Sequence, residues 1–178
     1  LGGQVSPLAG VTVRELQLSD LDAYKALRDH ALAHNEDAFT SDAATEAHRT
    51  AQSYAARLGN DSAHAFTLGA FSGDRLLGAV TCEHDPRIKV QHIGHVTGMM
   101  VHADEQGRGV GRALIDALIE RAGADAELHQ LTLNVTAGNK VAERLYERSG
   151  FMRYGTLPRA IRVGGTFLDK HHMLLKLK

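Results

Sequence analysis

Gln106-Gly107-Arg108-Gly109-Val110-Gly111, read with the segments on either side, decides the fold. Three glycines fall within five residues, from 107 to 111. Glycine loses more conformational freedom on folding than any other residue, so such a cluster marks a need for bare backbone. The stretch lies between a strand-like run at residues 90–101 and an amphipathic helical run at residues 109–122. A helix leaves its first amides unpaired and carries its positive dipole end there. Bare backbone at such an end suits a phosphate group.

Working outward, residues 11–18 alternate apolar and polar as a short strand. Ser19-Asp20 offers an N-cap, and Leu21, Tyr24, Leu27, Ala31 and Leu32 recur at helical spacing to about His34. Residues 42–58 read as an Ala-rich helix, peripheral because it has few large apolar side chains, stopped at Gly59-Asn60. Residues 63–71 and 75–84 form two strands around the turn Ser72-Gly73-Asp74. The strand at 90–101 places His95, Thr97, Met99 and Val101 on one face. Gly94 and Gly98, on the other parity, suggest a bulge or a close backbone approach. Val110, Ala113, Leu114, Ala117, Leu118 and Arg121 make one helical stripe. A strand follows at 128–135. A helix then runs from Gly138-Asn139 to Ser149, with Val141, Ala142, Leu145 and Tyr146 inward and Gly150 as its cap. Strands at 151–157 and 167–177 close the chain. The expected fold is one mixed α/β (α+β) domain over residues 11–178, preceded by a loose leader at 1–10.

The 178 residues carry a formal net charge of −1, with 43% hydrophobic and 23% charged residues. That balance gives no bulk drive toward nucleic acid or an anionic membrane. No apolar run approaches the ~20 residues that span a bilayer. Cys82 is the single cysteine, so neither an internal disulfide nor a cysteine-based zinc site can form. It reads as a small buried hydrophobe. His171-His172 lacks a third ligand at metal spacing, and no metal is expected. These features point to the cytoplasm.

Three phosphate-binding patterns compete for the glycine stretch. A Walker A loop requires a lysine, and none follows. A dinucleotide fingerprint requires a third small residue, but Arg112 or Leu114 occupies that slot. The third pattern, Gln/Arg-x-x-Gly-x-Gly/Ala, is matched by Gln106, Gly109 and Gly111. The segment Val101-His102-Ala103-Asp104-Glu105-Gln106-Gly107-Arg108-Gly109-Val110-Gly111-Arg112-Ala113-Leu114 resembles the acetyl-CoA-binding motif of the GNAT N-acetyltransferase superfamily. The run from Asn139 to Phe151 resembles that superfamily's Asn-x-x-Ala-x-x-Leu-Tyr-x-x-x-Gly-Phe element. The order of elements agrees as well.

The resemblance implies a mostly antiparallel sheet of about seven strands, flanked by four helices and splayed between strands four and five. It implies that Met99, Met100 and Val101 meet the pantetheine arm of acetyl-CoA as an added strand. The backbone of Gln106, Gly107, Arg108, Gly109, Val110, Gly111 and Arg112 would hold its diphosphate. Asn134, Asn139 and Ala142 would complete the cofactor site. Arg108 and Arg112 either reach phosphates or decorate a solvated helix face. Asn139 also has a plain role as N-cap. Tyr146 matches the family tyrosine that protonates the departing thiolate, the competing reading being a core tyrosine. His95 stands where family bases commonly sit, and an imidazole suits neutral pH; Glu83 is the alternative base.

The implied activity is acetyl transfer to a primary amine by direct attack in a ternary complex. Two rivals are a non-catalytic acyl-CoA sensor of the same fold and an NAD-dependent oxidoreductase. The acceptor is open between a small amine and a protein amine. Glu36 or Asp37 would pair with a cation, and Arg159 with Arg162 would hold a carboxylate; both pairs have ordinary surface readings. A homodimer through the C-terminal strands follows from the resemblance alone.

Overall fold

In a computed structural model, which describes residues 8–59 and 64–178, the strands join in one seven-stranded sheet whose central strands β2 and β3 are buried on both faces. In chain order the elements are β1 (Thr12–Glu15), α1 (Leu21–His34), α2 (Ala43–Ala47), β2 (Ala65–Ser72), β3 (Arg75–His84) and β4 (Ile93–Val101). They continue as α3 (Val110–Gly123), β5 (Gln130–Thr136), α4 (Lys140–Arg148), β6 (Met152–Val163) and β7 (Thr166–Lys176). The strands lie in the order β1-β2-β3-β4-β5-β7-β6. Only β4 and β5 pair in parallel; the other neighbours are antiparallel.

Each face has its own core. Val110, Leu114, Ile115, Leu118 and Ala122 of α3 pack on Phe66, Leu68, Val80, Val96, Leu131 and Leu133, with Tyr146 of α4 beside them. On the other face, Leu21, Tyr24, Leu27 and Ala31 of α1 meet Leu76, Ala79 and Met100. Arg121, expected in the α3 stripe, is instead exposed, with its guanidinium 5.0 Å above the Phe66 ring; Ile115 and Ala122 take the inward places. Val141 is 81% exposed, because the inward stripe of α4 runs through Ala142, Leu145 and Tyr146.

The helix expected over residues 42–58 is two pieces, α2 and a 3-10 turn at Ala51–Arg57. Nor is it peripheral, since Tyr54 is fully buried. What anchors it is polar. Glu46, itself buried, binds Arg28 (2.9 Å), Arg49 (3.2 Å) and the Tyr54 hydroxyl. Burial opposes ionisation of Glu46, but the bonds from Tyr54, Arg28 and Arg49 outweigh it and bring its pKa down to about 2. Asn60 and Ala63 lie outside the described residues, as do residues 1–7 of the expected leader. Leu8 is not loose: it packs on the α3-side core.

Candidate functional site

The β4–β5 pairing covers only Ile93, Gly94 and His95 against Gln130, Leu131 and Thr132. Beyond that point the two strands part, leaving the facing edge of β4 unpaired. The splay therefore opens at the C-terminal ends of both strands, where α3 and α4 begin. A cavity of about 460 Å³ occupies it, with His95, Thr97, Thr132, Asn134, Tyr154 and His172 in its wall. That volume suits a small molecule or one arm of a larger one.

A bulge reshapes β4 beside this cavity. Thr81 pairs with Thr97 and Ala79 with Met100, so residues 79 to 81 of β3 face residues 97 to 100 of β4, one residue more. Gly98 sits in the bulge at φ +59°, a conformation that costs glycine little. One extra residue exchanges the two faces of a strand. The expected face of His95, Thr97, Met99 and Val101 is corrected accordingly. Met99 and Val101 pack toward the α3 core, while Met100 turns to the α1 core.

The loop after β4 is held from both sides. Glu105 accepts from Arg75 (3.1 Å) and from Arg108 (3.5 Å). The Ala103 amide donates to His30 Nε2 at 3.2 Å, and the His30 ring stacks between those of His34 and His102, with centroids 4.0 and 3.8 Å apart. Gly107 (φ +75°) and Gly109 (φ +89°) then turn the chain so that successive amides converge. Gly109 is the N-cap of α3 and supplies no side-chain cap. Among the described residues, no hydrogen bond accepts the amides of Gly107, Arg108, Gly109, Val110, Gly111 or Arg112. The start of α4 is largely closed by comparison: Asn139 Oδ1 accepts from Ala142 N (3.2 Å) and Glu143 from Gly138 N (2.9 Å), while the Asn139 and Lys140 amides donate to the Thr136 and Gly138 carbonyls. Two helices thus begin at the open end of the splay, and among the described residues the run of free donors is at α3, against the single amide of Val141 at α4.

Arg108 is exposed beside these donors. Arg112 is a strut, with Nε 2.6 Å from Asp116 and its guanidinium donating to the Arg148 carbonyl of α4 (3.3 Å). Gly111 lies where α3 meets α4, and a Cβ there would stand 3.4 Å from Leu145 Cδ2.

His95 and Glu83 are direct cross-strand partners and share a face. His95 is exposed to the cavity, with Nδ1 2.7 Å from Thr132 Oγ1. That bond fixes the ring and leaves Nε2 for another group. Glu83 is tied to Arg57 at 3.1 Å. Tyr146 is 7% exposed, packed edge-on against Phe151, and does not reach the cavity wall. Burial pushes its hydroxyl pKa upward, so the phenol stays protonated at neutral pH.

Of the other candidates, Cys82 is buried, and burial pushes its thiol up to about 12. Arg159 and Arg162 lie over the Phe167 ring, 4.0 and 5.8 Å from its centre. Asp37 accepts from Thr136 through its backbone carbonyl. His171 bonds Thr156 (2.9 Å), while His172 lines the cavity. The sequence marks His172 only as half of a histidine pair, and it does not mark Thr132 or Tyr154. Thr132 alternates with Leu131 and Leu133, and that polar parity was the available signal.

Residues 25–151 match the model of the acetyltransferase (GNAT) family. Mycothiol acetyltransferase of Geodermatophilus obscurus is 42% identical over 48% of the chain, a stretch that takes in 28% of that protein. The L-methionine sulfoximine/L-methionine sulfone acetyltransferase of Pseudomonas aeruginosa is 38% identical over 43% of the chain and 44% of its own length. The matched stretch therefore spans less than half of either relative. Among solved structures, a GNAT-family acetyltransferase of Streptococcus pneumoniae superposes with a TM-score of 0.86 at 25% identity, covering 93% of this chain and 99% of that one. An acetyltransferase of Salmonella typhimurium, solved with its cofactor acetyl-CoA, has the same fold (TM-score 0.78, 22% identity, 95% of each chain).

Proposed function

The chain belongs to the acetyltransferase (GNAT) family, and from that premise we propose that it transfers the acetyl group of acetyl-CoA to a primary amine in a ternary complex. One observation carries the reading: six consecutive unpaired amides, from Gly107 to Arg112, at the mouth of the β4–β5 splay. The anionic diphosphate needs converging N–H donors there, and the open edge of β4 can pair with the amide-bearing pantetheine arm. Asn134, in the cavity wall, stands beside that arm.

Acetyl-CoA supplies an activated acyl group, and the remaining work falls to the chain. His95 accepts the proton of the attacking amine, with Thr132 holding the ring; Glu83, its cross-strand partner, is the alternative base. Tyr146, kept protonated by burial, donates to the leaving thiolate. A backbone amide near Met99, beside the bulge, stabilises the developing oxyanion.

The cavity volume and the small-molecule names of the two relatives above support a small amine over a protein amine as acceptor. The reaction belongs in the cytoplasm, where the acetyl donor is available. Exposed Met152, Tyr154 and Leu157 on edge strand β6 support a homodimer, which light scattering reads directly.

The test is calorimetric titration with CoA and with NAD(H), followed by a panel of amines with a thiol readout for released CoA. Saturable CoA binding with turnover supports the proposal. CoA binding with no acetylation across the panel identifies a sensor, and NAD(H) binding without CoA binding overturns the reading.

A further inference from the structure

Tyr24 is fully buried between α1 and the sheet, edge-on to Tyr54 at 5.6 Å. Its hydroxyl is shielded from water and has no hydrogen-bond partner among the described residues. Buried hydroxyls are nearly always paired, so an orphan marks a place where a ligand or an ordered water completes the bond. The hydroxyl lies at the β4 bulge: a Cβ built on Gly98 would stand 3.8 Å from Tyr24 Oη and 3.8 Å from Thr81 Oγ1. Thr81 is already committed to Thr67 at 2.8 Å, and Thr67 in turn donates to the Arg57 carbonyl at 2.9 Å. Thr97, paired across the ladder from Thr81, carries a second orphan hydroxyl and lines the cavity. Two unpartnered hydroxyls therefore flank the one stretch of β4 where the backbone leaves the ladder.

We propose that the Tyr24 hydroxyl, together with that of Thr97 on the cavity wall, donates a hydrogen bond to the acyl carbonyl oxygen of the donor thioester. The inference rests on the acetyl-CoA reading above. A carbonyl under attack gains negative charge on oxygen, and a donor held in a dry site strengthens as that charge grows. Tyr24 keeps its proton throughout; only the hydrogen bond tightens. Glycine at position 98 leaves no side chain on the bulge to separate the hydroxyl from the backbone there.

The variant Tyr24→Phe retains the ring and its packing on Tyr54. The full-length variant is examined with acetyl-CoA and CoA themselves, so no acceptor is needed. In the wild type, the thioester carbonyl stretch of bound, carbonyl-labelled acetyl-CoA is expected at lower frequency than in solution. In Tyr24→Phe most of that shift disappears. The preference for acetyl-CoA over CoA falls about fivefold, the effect of one neutral hydrogen bond, while CoA affinity holds. The melting temperature stays level or rises, because an unpaired buried hydroxyl has been removed. Thr97→Val reports the second hydroxyl in the same way and serves if Tyr24→Phe does not fold. An unchanged carbonyl frequency and affinity ratio in both variants overturns the inference. So does a lower melting temperature with parallel losses for CoA and acetyl-CoA, which identifies a structural hydroxyl. A wild-type chain that binds neither ligand overturns the acetyl-CoA reading instead.

Discussion

Replacing Gly109 by valine tests whether the amides before α3 grip the CoA diphosphate. Gly109 sits at φ +89°, ψ 2°. The left-handed region costs an ordinary residue about 1–2 kcal/mol, and a β-branched residue lies at the upper end. A Cβ would stand 3.5 Å from Leu8 Cδ1, so crowding adds little. For a chain of this length, about 2 kcal/mol lowers the melting temperature by roughly 4–8 °C. Strain on this scale is relieved by rotating the peptides on either side, which turns amides at 109 and 110 away from their common focus. A hydrogen bond to a charged group is worth about 1.5–3 kcal/mol, so losing even one weakens CoA binding roughly 10- to 100-fold. Gly165→Val is the control. Gly165 has φ +87° in the β6–β7 turn, with nothing within 4 Å of its Cβ position. It carries a comparable backbone penalty in a turn that does not adjoin the loop before α3. Both variants should melt earlier in differential scanning fluorimetry, and only Gly109→Val should lose CoA in calorimetry. If Gly109→Val shows the lower melting temperature but binds CoA like the wild type, the phosphate is held elsewhere.

Four further variants test the same geometry. His95→Gln should lower turnover about 10²–10⁴-fold, while Tyr146→Phe should cut turnover with CoA affinity unchanged; a wild-type rate in either variant removes that residue from the chemistry. Glu46→Gln leaves Arg28 buried without its counter-charge and should cost about 3–5 kcal/mol in urea unfolding. Because the folded pKa of Glu46 is about 2 against an ordinary 4.5, its contribution is complete above pH 4.5 and is lost as pH falls toward 2, so the wild type's loss of stability across that window should flatten in the variant. His30 must be neutral at Nε2 to accept from the Ala103 amide, and burial, then the neighbouring His102 and His34, hold its pKa below 6.5. The latch is therefore intact above pH 6.5 and released as pH falls through the folded pKa, and CoA affinity should decline there in the wild type but not in His30→Gln, whose amide oxygen still accepts.

The glycine loop was legible in sequence because its signal is local: glycines, a following apolar stripe and missing caps are all properties of neighbours in the chain. The α1 boundaries, Leu21 to His34, were legible for the same reason. What could not be read was set by pairing across the sheet. Strict alternation over residues 90–101 puts His95 and Met99 on one face, and only the register against Ala79 and Thr81 shows that the bulge separates them. The same displacement brings Gly98 beneath Tyr24, a residue whose spacing in α1 announces nothing beyond an apolar face. Residues 42–58 failed differently: few large apolar side chains suggested a peripheral helix, yet Glu46 and Tyr54 are buried because Arg28, eighteen residues earlier, pairs with Glu46. A buried ion pair contributes little to stability overall but strongly penalises arrangements that leave one charge alone. The cluster therefore fixes where the 3-10 turn rests against α1, and with it the Arg57 carbonyl and the chain of hydroxyls through Thr67 and Thr81 that ends beside the bulge. The polar groups least visible in the sequence are thus the ones packed beneath the β4 bulge.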